Sequence, residues 1–113
     1  QNIRAIEQNY TLCKQIESRF SGAILPIQKC FLDYSATAGT RFPRIITNPP
    51  FRNVRQHMKA AINLLDRCAF DSAVLVGLVP VTYDHELAET VKMLPPDTFA
   101  STTVYTKIIR IEL

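Results

Sequence analysis

The spacing of apolar residues changes several times along the chain. Residues 2–7, Asn2-Ile3-Arg4-Ala5-Ile6-Glu7, read as a strand with a carboxylate at its C-terminal end. Leu12, Cys13, Ile16 and Phe20 then recur at helical spacing over residues 10–20, and Gly22 supplies a stop. Residues 24–33 hold a second short strand, with Pro26 better suited to its start than to its centre. The small, polar, glycine-containing residues 35–40 predict a surface loop. A short apolar run, Ile45-Ile46-Thr47, stops at Asn48-Pro49-Pro50-Phe51. Val54, Met58, Ala61, Ile62, Leu65 and Cys68 predict a helix over residues 54–68. Residues 72–79 are continuously apolar, as expected of a strand covered on both faces, and Pro80 ends the run. Residues 84–94 predict a short helix with Asp84 as its N-cap, closed by Pro95-Pro96. The alternating, β-branched residues 101–113 predict an antiparallel strand near an edge.

Strands alternating with helices predict an α/β fold: a three-layer sandwich with a mostly parallel sheet and an antiparallel C-terminal strand. At 113 residues the chain has room for one domain. Ligands of such sheets sit beyond the C-terminal strand ends, where Glu7, Asp33 and Asn48 all fall. A hydrophobic content of 47% against 20% charged residues fits a chain with a real core. No apolar run approaches the roughly 18 residues of a membrane span. A net charge of +3 only weakly suggests an acidic partner. Cys13, Cys30 and Cys68 are odd in number and far apart. That arrangement suggests neither a disulfide framework nor a metal site, and fits free thiols in a reducing cytoplasm. His57 on the 54–68 helix is assigned no role.

The corner at residues 48–51 carries the chemistry. Proline fixes its own φ and pushes the preceding residue out of the helical region, so two in succession end the strand and stiffen the turn beyond it. Such a corner would present the Asn48 amide at a fixed angle and Phe51 as a flat face. An Asn-Pro pair also marks an ordinary turn, so the strand before and the helical pattern after give the corner its meaning.

Asn48-Pro49-Pro50-Phe51 after an Ile-Ile strand resembles the catalytic motif of S-adenosylmethionine-dependent amino-methyltransferases, chiefly the adenine-N6 enzymes acting on nucleic acid. The resemblance implies a partial Rossmann-like fold with S-adenosylmethionine as cofactor. Asn48 and the Pro49 carbonyl would accept hydrogen bonds from an exocyclic amine, and Phe51 would stack on a flipped base. Glu7 matches in position and type the family's acidic residue that binds ribose hydroxyls. The family's segment resembling Asp-Phe-Leu contacts the cofactor adenine. Here Cys30 precedes Phe31-Leu32 and Asp33 follows, so either Asp33 takes that contact after a local shift or another side chain near the Cys30 position does.

Arg41, Arg44, Arg52 and Arg55 bracket the corner and would suit phosphate contacts, or form a solvated charge set. The resemblance covers almost the whole chain but begins at the family's second strand. The family's glycine-rich cofactor loop has no counterpart among Gly22, Gly39 and Gly77. The chain thus reads as one partial methyltransferase-like domain, completed by a complementing segment or a second copy, and by itself binding S-adenosylmethionine weakly or not at all. DNA is the expected acceptor ahead of RNA. The alternatives are a non-catalytic binding module of the same fold and a glutamine-N5 methyltransferase acting on protein, whose motif more often ends in tyrosine.

Overall fold

The computed structural model describes residues 3–65, 72–95 and 105–113, and these fall into two compact units, Gln1–Ala38 and Gly39–Leu113. In the first unit β1 (Ile6–Glu7) and β2 (Ile27–Gln28) pair in parallel, Glu7 opposite Gln28. Between them runs α1 (Tyr10–Arg19), and α2 (Phe31–Thr37) follows β2. α1 starts where the sequence provides a cap. The Asn9 side-chain oxygen accepts from the Leu12 amide at 3.0 Å, satisfying a donor the helix itself leaves free. It ends in a turn through Ser21 and Gly22, both at positive φ, with the Gly22 amide donating back to Glu17 O at 3.1 Å. Cys13 is buried on this helix, and its thiol donates to Glu7 O at 3.2 Å.

The second unit is built on a four-stranded sheet in the order β3-β4-β6-β5. Its strands are β3 (Arg44–Thr47), β4 (Val74–Pro80), β5 (Ala88–Met93) and β6 (Thr106–Glu112). β3 runs parallel to β4, while β6 is antiparallel to both β4 and β5. A 3-10 turn (Phe51–Asn53) leads into α3 (Val54–Leu64). The core lies where Met58 and Ala61 of α3 meet Leu75 and Val79 of β4 and Ile109 and Ile111 of β6, all fully buried. Each large aliphatic side chain buried this way contributes about 1.5–3 kcal/mol. Gly77 leaves room for α3: a Cβ there would lie 3.4 Å from Met58 Cε.

Several expectations change. Residues 84–94 are not a helix; 88–93 form β5 against β6. The reason is tertiary: the Leu87 amide donates to His85 Nδ1 in a turn, and β6 then offers a ladder that an isolated turn of helix cannot match. Residues 35–40 are not all loop, since α2 runs to Thr37. There the Ser35 and Thr37 hydroxyls fold back onto Leu32 O and Asp33 O, and Tyr34 is buried. Pro80 stays within β4, opposite Thr106. The sheets are not mostly parallel: two pairings are parallel and two antiparallel among the described residues. β4 is not covered equally on its two faces; Leu75, Gly77 and Val79 are buried but Val74, Val76 and Leu78 only half so. The C-terminal strand is antiparallel as expected, one place in from the edge strand β5. The expected positions at 2, 66–68, 96 and 101–104 lie outside the described residues.

Candidate active site

In the second unit the corner is set by its neighbours. β3 is held beside β4 from Arg44 to Thr47, where Thr47 lies opposite Gly77. The chain then leaves the sheet at Asn48, which is exposed; Pro49 is buried and Pro50 is exposed at φ −62° and ψ 134°. Pro50 O accepts from the Asn53 amide at 3.1 Å, closing the turn that carries half-buried Phe51 into α3. Pro49 is thus the anchor and Asn48 the group presented. The Asn48 side chain, whose amide can both donate and accept, has no partner among the described residues.

The arginines divide. Arg52 and Arg55 are exposed beside the corner, with no ion-pair partner among the described residues. Arg44 begins β3, whose rise of about 3.3 Å per residue puts it about 13 Å from Asn48. Its guanidinium donates to Pro43 O at 2.8 Å and Ser72 O at 3.0 Å. Arg44 therefore braces the far end of the strand. Arg41 precedes it, exposed. His57, three residues after Val54 on α3, is buried, and burial pushes its pKa below the usual 6.5.

In the first unit Glu7 and Cys30 stand at the C-terminal ends of two adjacent parallel strands. Glu7 Oε2 accepts from the Asn9 amide at 2.9 Å, and no described residue occupies Oε1. The same Asn9 caps α1, and the Cys13 thiol holds the Glu7 carbonyl. Burial raises the Cys13 pKa, with Glu7 and Glu17 adding to the shift, so it remains a neutral donor at pH 7. These bonds fix one carboxylate oxygen and leave the other open at the strand end. Sequence reasoning chose Glu7 but missed Asn9 and Cys13; Asn9 ahead of the helical period was the visible signal. Cys30 is the half-buried N-cap of α2 and makes no side-chain capping bond; Asp33 is exposed in the first turn.

A cofactor fit is therefore partial. One free Glu7 oxygen suits a ribose hydroxyl. None of the three glycines lies in a glycine-rich loop, and Gly77 is packed against Met58 and Thr47.

The fold these elements make is that of the methyltransferases. A putative methylase from Haemophilus influenzae superposes with a TM-score of 0.63 at 14% identity, covering 97% of this chain and 72% of that one. The 23S rRNA methyltransferase ErmE gives 0.69 at 12% identity, covering 97% of this chain and 51% of its own. An rRNA methylase from Streptococcus thermophilus gives 0.57 at 9% identity over 97% and 73%. At such identities the likeness is one of fold, and each of these proteins has more chain than this one spans. No protein-family model and no curated protein matches the sequence. Among the described residues no helix is long and apolar enough to cross a membrane.

Proposed function

We propose that this chain carries the acceptor-binding corner of an S-adenosylmethionine-dependent methyltransferase acting on the exocyclic N6 amine of adenine in nucleic acid. The observation that carries the reading is Asn48: an exposed amide, without a partner among the described residues, held at the end of a parallel strand by a buried proline. An exocyclic amine shares its lone pair with the ring and is a poor nucleophile. Acceptors aimed at its N–H groups localise that pair and stabilise the positive charge that grows on nitrogen during alkylation. Asn48 Oδ1 and the Pro49 carbonyl take that role, and Phe51 offers a face to an extruded base. Arg52 and Arg55, exposed and with no ion-pair partner among the described residues, would meet the phosphate backbone. Glu7 would hold the ribose of the cofactor, with Asp33 or the Cys30 position toward its adenine. When bound, the cofactor supplies a methyl group made electrophilic by a sulfonium.

Phe51 favours a base over a protein glutamine. DNA stays the first acceptor to test, with RNA beside it because two of the fold neighbours are named as rRNA methylases. Cys30, standing where the family's segment has its acidic residue, supports a second reading, a binding module that has lost catalysis. In the longest natural polypeptide containing this chain, Asn48→Ala should abolish transfer of labelled methyl to DNA and RNA without moving the unfolding midpoint. Undiminished transfer rejects the role of Asn48, and no transfer by the parent to any acceptor favours the binding module.

A further inference from the structure

Among the described residues β5 is an outer strand of the four-stranded sheet, and every residue of it but Ala88 is exposed. Val91 and Met93, each 58% exposed, and Leu87 just ahead of the strand lay apolar surface along that rim. The Val81 amide donates to Tyr105 O and the Leu94 amide to Thr106 O. The backbone groups of β6 therefore turn toward β4 at odd-numbered residues and toward β5 at even-numbered ones. Glu89 and Lys92, paired with Arg110 and Ile108, face β6 with their own backbone groups. Ala88 and Met93, paired with Ile111 and Lys107, turn theirs outward. The Ala88 amide is taken by His85 O, which leaves the Ala88 carbonyl and the Met93 amide at the open rim.

The bulge changes what this rim displays. Residues three apart in a regular strand point to opposite faces. The shift between Thr90 and Lys92 adds one residue, so Glu89 and Lys92 share a face, that of Arg110 and Ile108 and opposite to buried Ile109 and Ile111. Both are exposed and have no ion-pair partner among the described residues. A carboxylate and an ammonium placed evenly about the middle of a strand are complementary to their own two-fold image. Charges and bulges ordinarily keep added strands off an edge. This pair opposes a parallel copy in register, which sets like charges together, and accepts an antiparallel one.

We infer that two copies of this chain pair β5 to β5, antiparallel, about a two-fold axis between Thr90 and Val91. Glu89 of each copy lies beside Lys92 of the other, at the close side-chain spacing of a pair whose backbone bonds run elsewhere. The Met93 amide of each donates to the Ala88 carbonyl of the other. The exposed Leu87, Val91 and Met93 side chains of the two copies cover one another, and the two sheets become one. A second copy is the occupant because symmetry alone supplies both opposite charges at the required places. The inference rests on the sheet and stands whether or not the corner transfers methyl groups.

Sedimentation velocity of the longest natural polypeptide containing this chain tests it. The parent should dimerise at about 100 μM, as an interface of small area allows. Glu89→Lys and Lys92→Glu each set like charges together twice and should raise the dimer dissociation constant about tenfold or more, with the urea midpoint unchanged. An equimolar mixture of the two variants should dimerise again, because each carries the charge the other lacks. In the parent, exchange of the Met93 amide should slow as concentration rises. Four results overturn the inference: a parent still monomeric at about 1 mM, a dimer that neither variant weakens, a mixture as monomeric as its components, or a dimer in which the Met93 amide exchanges as fast as in the monomer. The second gives the dimer to another face.

Discussion

Gly77 sits beside the corner in the ladder, opposite Thr47, the residue before Asn48. A Cβ added there would lie 3.4 Å from Met58 Cε, 3.5 Å from Thr47 Cγ2 and 3.6 Å from Leu75 Cδ2. One methyl therefore just fits, and its backbone, not at positive φ, tolerates it. Gly77→Ala should also narrow the unfolded ensemble, a gain of about 0.4–1 kcal/mol that offsets slight crowding. Gly77→Val puts two further methyls against Met58, which is fully buried. Overpacking of that kind costs about 1–3 kcal/mol. With a urea m-value of about 1.5 kcal/mol/M for a chain this size, the midpoint falls by about 0.7–2 M for valine and stays nearly level for alanine. Circular dichroism at increasing urea reads both. Because the strain falls on Thr47, valine should also weaken methyl transfer in the longer polypeptide while alanine spares it. A valine midpoint within about 0.3 M of the parent would refute the close approach of α3 to β4.

Two other outcomes rest on buried polar groups. Thr106 is buried on β6 and its hydroxyl has no partner among the described residues. Thr106→Val keeps the branch and removes the orphaned oxygen, so stability should rise by about 1 kcal/mol; an unchanged or lower urea midpoint would mean the hydroxyl finds a partner in solution. Burial of His57 lowers its pKa below 6.5, so the unfolded chain binds a proton before the folded one does. Its contribution is complete above pH about 6.5 and is lost as pH falls from there through the lower folded value. The stability gap between parent and His57→Leu should shift in the variant's favour on acidification, and a gap constant from pH 7.5 to 5 would refute the assignment.

The shape of the corner was legible because its signals are local. Two prolines, a short apolar run and a helical period each act within a few residues; strand, turn and helix follow in that order, with Asn48 exposed, Pro49 buried and Phe51 half-buried. α1 was legible for the same reason, from Leu12, Cys13, Ile16 and Phe20 at helical spacing and Gly22 behind them. β5 was not. Its alternation is weak, five of its six residues are exposed, and only the β6 ladder selects strand over helix. α2 was hidden by its Ser35 and Thr37, residues that usually mark turns but here bond back along the helix. Arg44 looked like its fellow arginines in sequence. Its place at the start of the strand sends it to Pro43 and Ser72 instead.

Ile46 and the presented amide of Asn48 are two residues apart, and that ties their fates. An acceptor stabilises a developing charge in proportion to how well water is kept from it; at 4 Å a unit pair falls from about 4 kcal/mol at an effective dielectric of 20 to about 1 in bulk water. With Ile46 at 88% exposure, the strand leading to Asn48 is wet along one flank. An amine bound there would exchange one set of solvated hydrogen bonds for another and gain little. Whatever excludes water from that flank, acceptor or polypeptide, lets the same oxygen, at the same angle, act on the amine with a stronger field.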